Sequence, residues 1–225
     1  MDVPVPGSEV AGIPAGPSPE SGELPALQPP PEVPAAEITG SQSVATTIAQ
    51  AKVAGRPLLL FFLNSQLGGG TLLEREVIQH PKVLQLRKDH LFYVKLDYGN
   101  KDFRETDEAK ALLKRFKVTG FPALLVTLPD GTVMAHHKGW VPDKKPDYIR
   151  SIEGAVNYFD TKAATRRKTL IPQGYREWTD TSGKHFFGLC TGVKDGKASM
   201  VNEWGADFEV AVNRFSEADR KLIEK

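Results

Sequence analysis

Leu58-Leu59-Leu60-Phe61-Phe62-Leu63 is an unbroken apolar run, entered through Arg56-Pro57. A strand with one wet face alternates apolar and polar side chains, so a strand without alternation must be covered on both faces. The run falls far short of the ~20 residues a membrane helix needs. It therefore reads as a central strand with packed layers above and below. A tight loop follows, ending in Leu67-Gly68-Gly69-Gly70. After it, Leu72, Leu73, Glu76, Val77 and His80 recur at helical spacing, and His80-Pro81 stops the helix.

The neighbouring segments extend this into an α/β layer structure. Val44, Ala45, Ile48, Ala51 and Ala54 predict a helix before the run, with Ser41 or Ser43 as its cap and Gly55 as its end. Val83, Leu84 and Leu86 mark a short helical stretch, and 91–97 (Leu-Phe-Tyr-Val-Lys-Leu-Asp) the next strand. Residues 98–104 read as loop. A helix is expected over 105–116, with Ala109, Leu112, Leu113 and Phe116 on one face. Residues 123–127 and 132–138 form a hairpin around Pro129-Asp130-Gly131. A helix over 147–159 presents Ile149, Ile152, Val156 and Phe159 inward. The order is βαβαββα, preceded by one extra helix.

The two ends are different material. Residues 1–40 hold ten of the chain's 17 prolines and no aromatic residue. Such a segment cannot bury enough apolar surface to offset chain entropy, so it reads as a disordered, Pro-rich tether. Pro14-Ala15-Gly16-Pro17 and Pro31-Glu32-Val33-Pro34 meet a bare PxxP spacing without a nearby Lys or Arg, and the linker reading is preferred. The ordered domain spans 41–160. Residues 161–174, with Arg166-Arg167-Lys168, read as a polar linker. Residues 175–225 change to short strands punctuated at Thr181-Ser182-Gly183, Lys194-Asp195-Gly196 and Trp204-Gly205-Ala206. Ser216-Glu217-Ala218-Asp219 resembles a capping box opening a last helix. A module of this size has a small core and is marginal alone.

Charge and cysteine content exclude several classes. The 29 Lys and Arg against 28 Asp and Glu leave a net charge of +1, which offers no electrostatic case for nucleic acid or an anionic membrane. No stretch is apolar for long enough to span a bilayer. Cys190 is the single cysteine. An internal disulfide, a CxxC pair, a cysteine-based zinc site and an iron–sulfur cluster are all ruled out.

Two resemblances follow from the motifs. Leu73-Glu74-Arg75-Glu76-Val77, Val94-Lys95-Leu96-Asp97 and Val118-Thr119-Gly120-Phe121-Pro122 together resemble the thioredoxin superfamily, in the group where a Leu-Glu-x-Glu-Val helix follows CxxC. The resemblance implies a thioredoxin-like fold, a central mixed sheet flanked by helices, and a cis Phe121–Pro122 bond. It places Leu67 at the nucleophilic position and Gly70 at the resolving position. The family's chemistry needs a thiolate there, where the helix dipole and free N–H groups lower its pKa. Redox activity is therefore not implied, and Leu67, Gly68, Gly69 and Gly70 read as a degenerate active-site loop. The resemblance also implies peptide binding at Gly120, Phe121 and Pro122, facing that loop.

The segment from Tyr175 to Leu222 resembles the small barrel-like homology domain first described in a yeast endocytic adaptor, also carried by exported bacterial proteins. Arg176-x-Trp178-Thr179-Asp180, Gly183-Lys184, Asp195-Gly196-Lys197 and Ser216-x-x-Asp219 carry it, with Phe215 in place of the usual Leu. This implies an SH3-like, all-β C-terminal module.

Other residues invite sharper readings that the pattern does not favour. Cys190 lies in an alternating strand and reads as a small buried hydrophobe. His136 and His137 point to opposite faces of a strand and cannot easily chelate one ion. Glu74 and Glu76 are two apart on a helix, so they do not face each other and read as first-turn acids. Gly68-Gly69-Gly70 lacks both the Lys-Ser/Thr of a P-loop and a dinucleotide spacing. Trp140, Trp178 and Trp204 read as packing rather than ligand platforms.

The expected function is a redox-inactive, non-enzymatic factor that binds a peptide or protein, without cofactor or metal. Two alternatives stay open: a thiol–disulfide oxidoreductase relative or chaperone acting on partner cysteines, and a structural component of an envelope complex. Met1-Asp2-Val3-Pro4 has neither the basic start nor the apolar core of a signal peptide. The Pro-rich start resembles the spacer after a removed export signal, which would make the protein periplasmic or secreted and Met1 an addition. The alternative is cytoplasmic.

Overall fold

The computed structural model describes residues 44–223. The tether at 1–40 and the capping residues Ser41 and Ser43 lie outside the described residues.

Residues 58–63 form strand β1 (Leu58–Leu63), buried along its whole length. Its side chains alternate between two cores. Leu59, Phe61 and Leu63 join one cluster, while Leu58, Leu60 and Phe62 join the other. β1 lies inside a four-stranded sheet of order β2-β1-β3-β4, with β2 at Phe92–Asp97, β3 at Ala123–Thr127 and β4 at Val133–Lys138. β2 runs parallel to β1, whereas β3 runs antiparallel to it and β4 antiparallel to β3. The sheet is thus mixed, and helices fill both faces.

The helices in chain order are α1 (Val44–Val53), α2 (Gly68–Leu73), α3 (Pro81–Asp89), α4 (Lys101–Arg104), α5 (Asp107–Phe116) and α6 (Lys145–Leu170). α2 continues into a π turn at Glu74–Ile78. Ala51 of α1 and Ala109, Leu112 and Phe116 of α5 fill one core; Leu73, Val77 and Ile78 from the α2 segment, Val83 of α3 and Ile149, Ile152 and Val156 of α6 fill the other.

The ordered elements differ from the sequence expectation in four places. Gly68-Gly69-Gly70 is the first turn of α2 and not a loop before it. The expected loop at 98–104 contains α4, whose Asn100 side chain caps it by accepting from Asp102 N and Phe103 N. The next helix starts at Asp107, with the Thr106 hydroxyl accepting from Ala109 N at 3.1 Å. The fourth difference is the expected linker at 161–174. α6 runs for 26 residues to Leu170 and passes into a 3-10 turn at Ile171–Gln173. Its second half keeps Phe159 and Ala163 buried, against Trp204. A partner surface for those positions exists only once the C-terminal segment has folded back.

That segment builds a second four-stranded sheet, all antiparallel, of order β5-β6-β7-β8. The strands are β5 (Arg176–Thr179), β6 (His185–Lys194), β7 (Lys197–Asn202) and β8 (Asp207–Ala211), closed by helix α7 (Glu217–Ile223). An isolated bridge between Asp180 and Phe215 brings the chain after β8 back beside β5. Trp178, Ala198, Met200 and Phe215 form its core. The capping box is half made. Asp219 N donates to Ser216 Oγ at 3.2 Å, but the Asp219 carboxylate accepts from Ser216 Oγ (3.1 Å), Thr179 N (2.7 Å) and Arg176 (3.4 Å) instead of from the Ser216 N–H.

Candidate functional site

β1 and β2 end side by side, and their loops are laced together. Asp97 Oδ1 accepts from Ser65 N at 2.9 Å and from Gly99 N at 2.8 Å. Asn64 Oδ1 accepts from Gln66 N, and Gln66 Nε2 donates to Gly99 O. A β-carbon on Gly99 would lie 2.8 Å from Ser65 N, so the approach needs glycine. This network sets the direction in which the chain enters α2.

Leu67 is the residue before the helix and is 50% exposed. Gly68 faces open space. Gly69 faces Pro122: a β-carbon there would lie 3.3 Å from Pro122 Cδ and 3.8 Å from Trp140 Cβ. Gly70 is buried, and a β-carbon there would lie 3.1 Å from Leu63 Cβ. The four residues at the α2 start thus divide into an exposed apolar residue, an open glycine, a glycine against Pro122 and a glycine closed off by the core.

The opposing segment is Gly120–Pro122. The Phe121–Pro122 bond is cis. Pro122 is buried, and its carbonyl accepts from Gly139 N at 2.7 Å. Phe121 is half-buried and stacks on Tyr98 with ring centroids 5.0 Å apart. Tyr98 donates its hydroxyl to Ala109 O at 2.8 Å, and burial pushes its phenol well above the usual range. Gly120 is exposed. Among the described residues, no hydrogen bond engages the N–H or C=O of Gly120 or Phe121. The structure therefore brings Gly69, Pro122 and Trp140 together, with Phe121 anchored by the ring of Tyr98.

The carboxylates beside the site are engaged. Lys95 Nζ reaches Glu74 at 2.6 Å, both side chains about three-quarters buried. Glu76 bonds Lys145 at 3.0 Å and Arg75 at 2.9 Å; Lys145 first, then Arg75, hold its carboxyl below the usual range. The π turn puts the two on different neighbours, one toward β2 and one toward the start of α6.

The remaining candidates lie elsewhere. Cys190 is on β6, half-buried, and packs with Phe186 against the second sheet's core. His137 packs on Tyr148 with ring centroids 4.7 Å apart, while His136 projects from the other face of β4. Trp178 donates to Gly188 O at 2.9 Å inside the second core. Trp204 stacks on Phe159 of α6 at 5.5 Å. Sequence reasoning did not pick out Asp97, Gly99 and Tyr98 as the frame of the site. The available signal was an acid–aromatic–glycine run directly after a buried strand.

These features define a thioredoxin-like domain whose helix start carries no sulfur. The family model described as a thioredoxin-like domain matches residues 44–149. Among solved structures, the chain is similar to a DsbH oxidoreductase at 21% identity, covering 59% of this chain and 93% of that one, with a TM-score of 0.40. It is similar to the oxidised C-terminal domain of DsbD from Neisseria meningitidis at 22% identity, over 49% and 90% of the two chains, with a TM-score of 0.40. Mitochondrial thioredoxin 3 from Saccharomyces cerevisiae is 19% identical over 48% and 91%, with a TM-score of 0.35. No curated protein matches the chain.

Proposed function

We propose that the protein is a redox-inactive thioredoxin-like factor that binds an extended peptide or protein segment at the Gly120–Pro122 edge. One observation carries this reading: Leu67 and Gly70 occupy the α2 start, and Gly70 sits tight against Leu63. A β-carbon at 70 would need Leu63 to give by a few tenths of an ångström. The sole cysteine, Cys190, is on the other sheet and cannot take over the role. The exposed side chain of Leu67, the half-buried Phe121 and Trp140, and the free backbone groups at Gly120 and Phe121 favour contact over bond exchange. An extended chain can pair with such groups by strand addition. The second unit is read as an SH3-like module, supported by its antiparallel strands and by the Asp180–Phe215 bridge that draws its two ends together.

The experiment has two arms. Insulin reduction with dithiothreitol should run at the uncatalysed rate for wild type and for Cys190→Ser; turnover above background in both would refute the reading. In the second arm, Phe121→Ala combined with Gly69→Arg should weaken capture of partners from extract while the circular-dichroism melt still shows one cooperative transition of a folded protein. Undiminished capture by the folded double variant places binding elsewhere.

A further inference from the structure

We propose that the turn between β7 and β8 is a latch on α1, so that local opening of this first helix is governed by a contact 150 residues away in sequence. α1 needs outside help to stay down. It has ten residues, and isolated helices below about 12–15 residues are marginal in water. Its fully covered side chains, Thr47 and Ala51, are small, and the larger Ile48 is only partly covered.

Both ends of α1 are held by side chains from distant segments. At the start, Ala45 N donates to Glu108 Oε1 of α5 at 2.8 Å. At the end, a helix leaves carbonyls without intrahelical partners. Lys52 O and Val53 O accept from Asn202 Nδ2 at 2.7 and 2.9 Å, and Lys52 O accepts in addition from Gly55 N at 3.2 Å. Asn202 Oδ1 in turn accepts from Trp204 N at 2.9 Å and Ala206 N at 3.0 Å, so the amide is locked at both its oxygen and its nitrogen. Lys52 Nζ returns a bond to Gly205 O at 3.1 Å. Gly55, in the left-handed region at φ +61°, lets the chain turn over the Trp204 ring; a β-carbon there would lie 3.4 Å from Trp204 Cδ1.

The turn is itself anchored on α6. Trp204 stacks on Phe159, Arg167 Nε bonds Glu203 Oε1 at 2.8 Å, and Arg166 bonds the Glu203 carbonyl. Glu203 and Asn202 are each only 4% exposed. The turn is therefore a fixed point to which the α1 end is tied. It is also filled from within the chain, so an external ligand of the second unit must use another surface.

Hydrogen–deuterium exchange on the full chain tests this. Asn202→Ala removes both bonds to the α1 carbonyls, and exchange in peptides covering 44–54 should rise about tenfold. Peptides covering β1 and β3 should change by less than about twofold. Lys52→Met, a half-buried position that leaves the Asn202 amide in place, should raise α1 exchange by a smaller factor with the sheet again unmoved. Unchanged α1 exchange in both variants overturns the latch. So does acceleration of α1 and the sheet by a common factor, which would report global unfolding instead of a local release.

Discussion

At the residue scale, three glycines in a row do three different things. Gly68 opens on solvent, Gly69 lies on Pro122 and Gly70 on Leu63. Gly68→Ala should therefore stabilise the protein by about 0.5–1 kcal/mol, through helix propensity and a less flexible unfolded chain. Gly99→Ala should cost about 1–3 kcal/mol, because its β-carbon meets the Ser65 backbone. Urea midpoints of the two variants check both signs. The histidine pair on β4 predicts a pH response. Burial first, then Lys138, lowers the His136 pKa; burial first, then His136, lowers that of His137, with Asp147 opposing. The folded state thus binds these protons less readily than the unfolded chain. Stability from the neutral rings is present above the ordinary histidine pKa and is lost as pH falls through it toward the folded values. Urea unfolding at about pH 7.5 and about pH 5 should show a larger acid loss for wild type than for His136→Gln/His137→Gln. Equal losses would remove the pair from the pH response.

At the element scale, β1 decides the architecture because it has no solvent side. Phe61 and Phe62 are neighbours in sequence and belong to different cores. Each is fully buried, so Phe61→Ala and Phe62→Ala should each cost about 3–5 kcal/mol. A one-sided sheet would make one of the two substitutions cheap, and denaturant midpoints distinguish the cases. α6 shows how an element outgrows its local pattern. Its first half buries Ile149, Ile152 and Val156 on the first sheet, and its second half carries Phe159 and Ala163 to Trp204. The basic run at Arg166–Arg167 that reads as solvated linker is instead the anchor for Glu203.

At the scale of the whole molecule, the second sheet is joined to the first through α1 and α6. Trp204→Ala should cost about 3–5 kcal/mol by cavity formation, and it should lower the far-ultraviolet and near-ultraviolet melting transitions together. Separate transitions in wild type would show two independent units. Much of this fold is legible in the chain alone. The uninterrupted run at 58–63 demands cover on both faces, Pro129-Asp130-Gly131 closes the β3–β4 hairpin, and the glycine turns space out β5 to β8, because each signal is local and periodic. That residues 67 and 70 are Leu and Gly is equally visible, since a residue type needs no coordinates. The tertiary structure alone decided that Gly70 is closed off by Leu63, that Gly69 faces Pro122, and that 161–170 is helix. It also decided that Asn202 completes α1. Each depends on a partner far away in sequence, and no local pattern encodes the distance between two segments that meet only after folding.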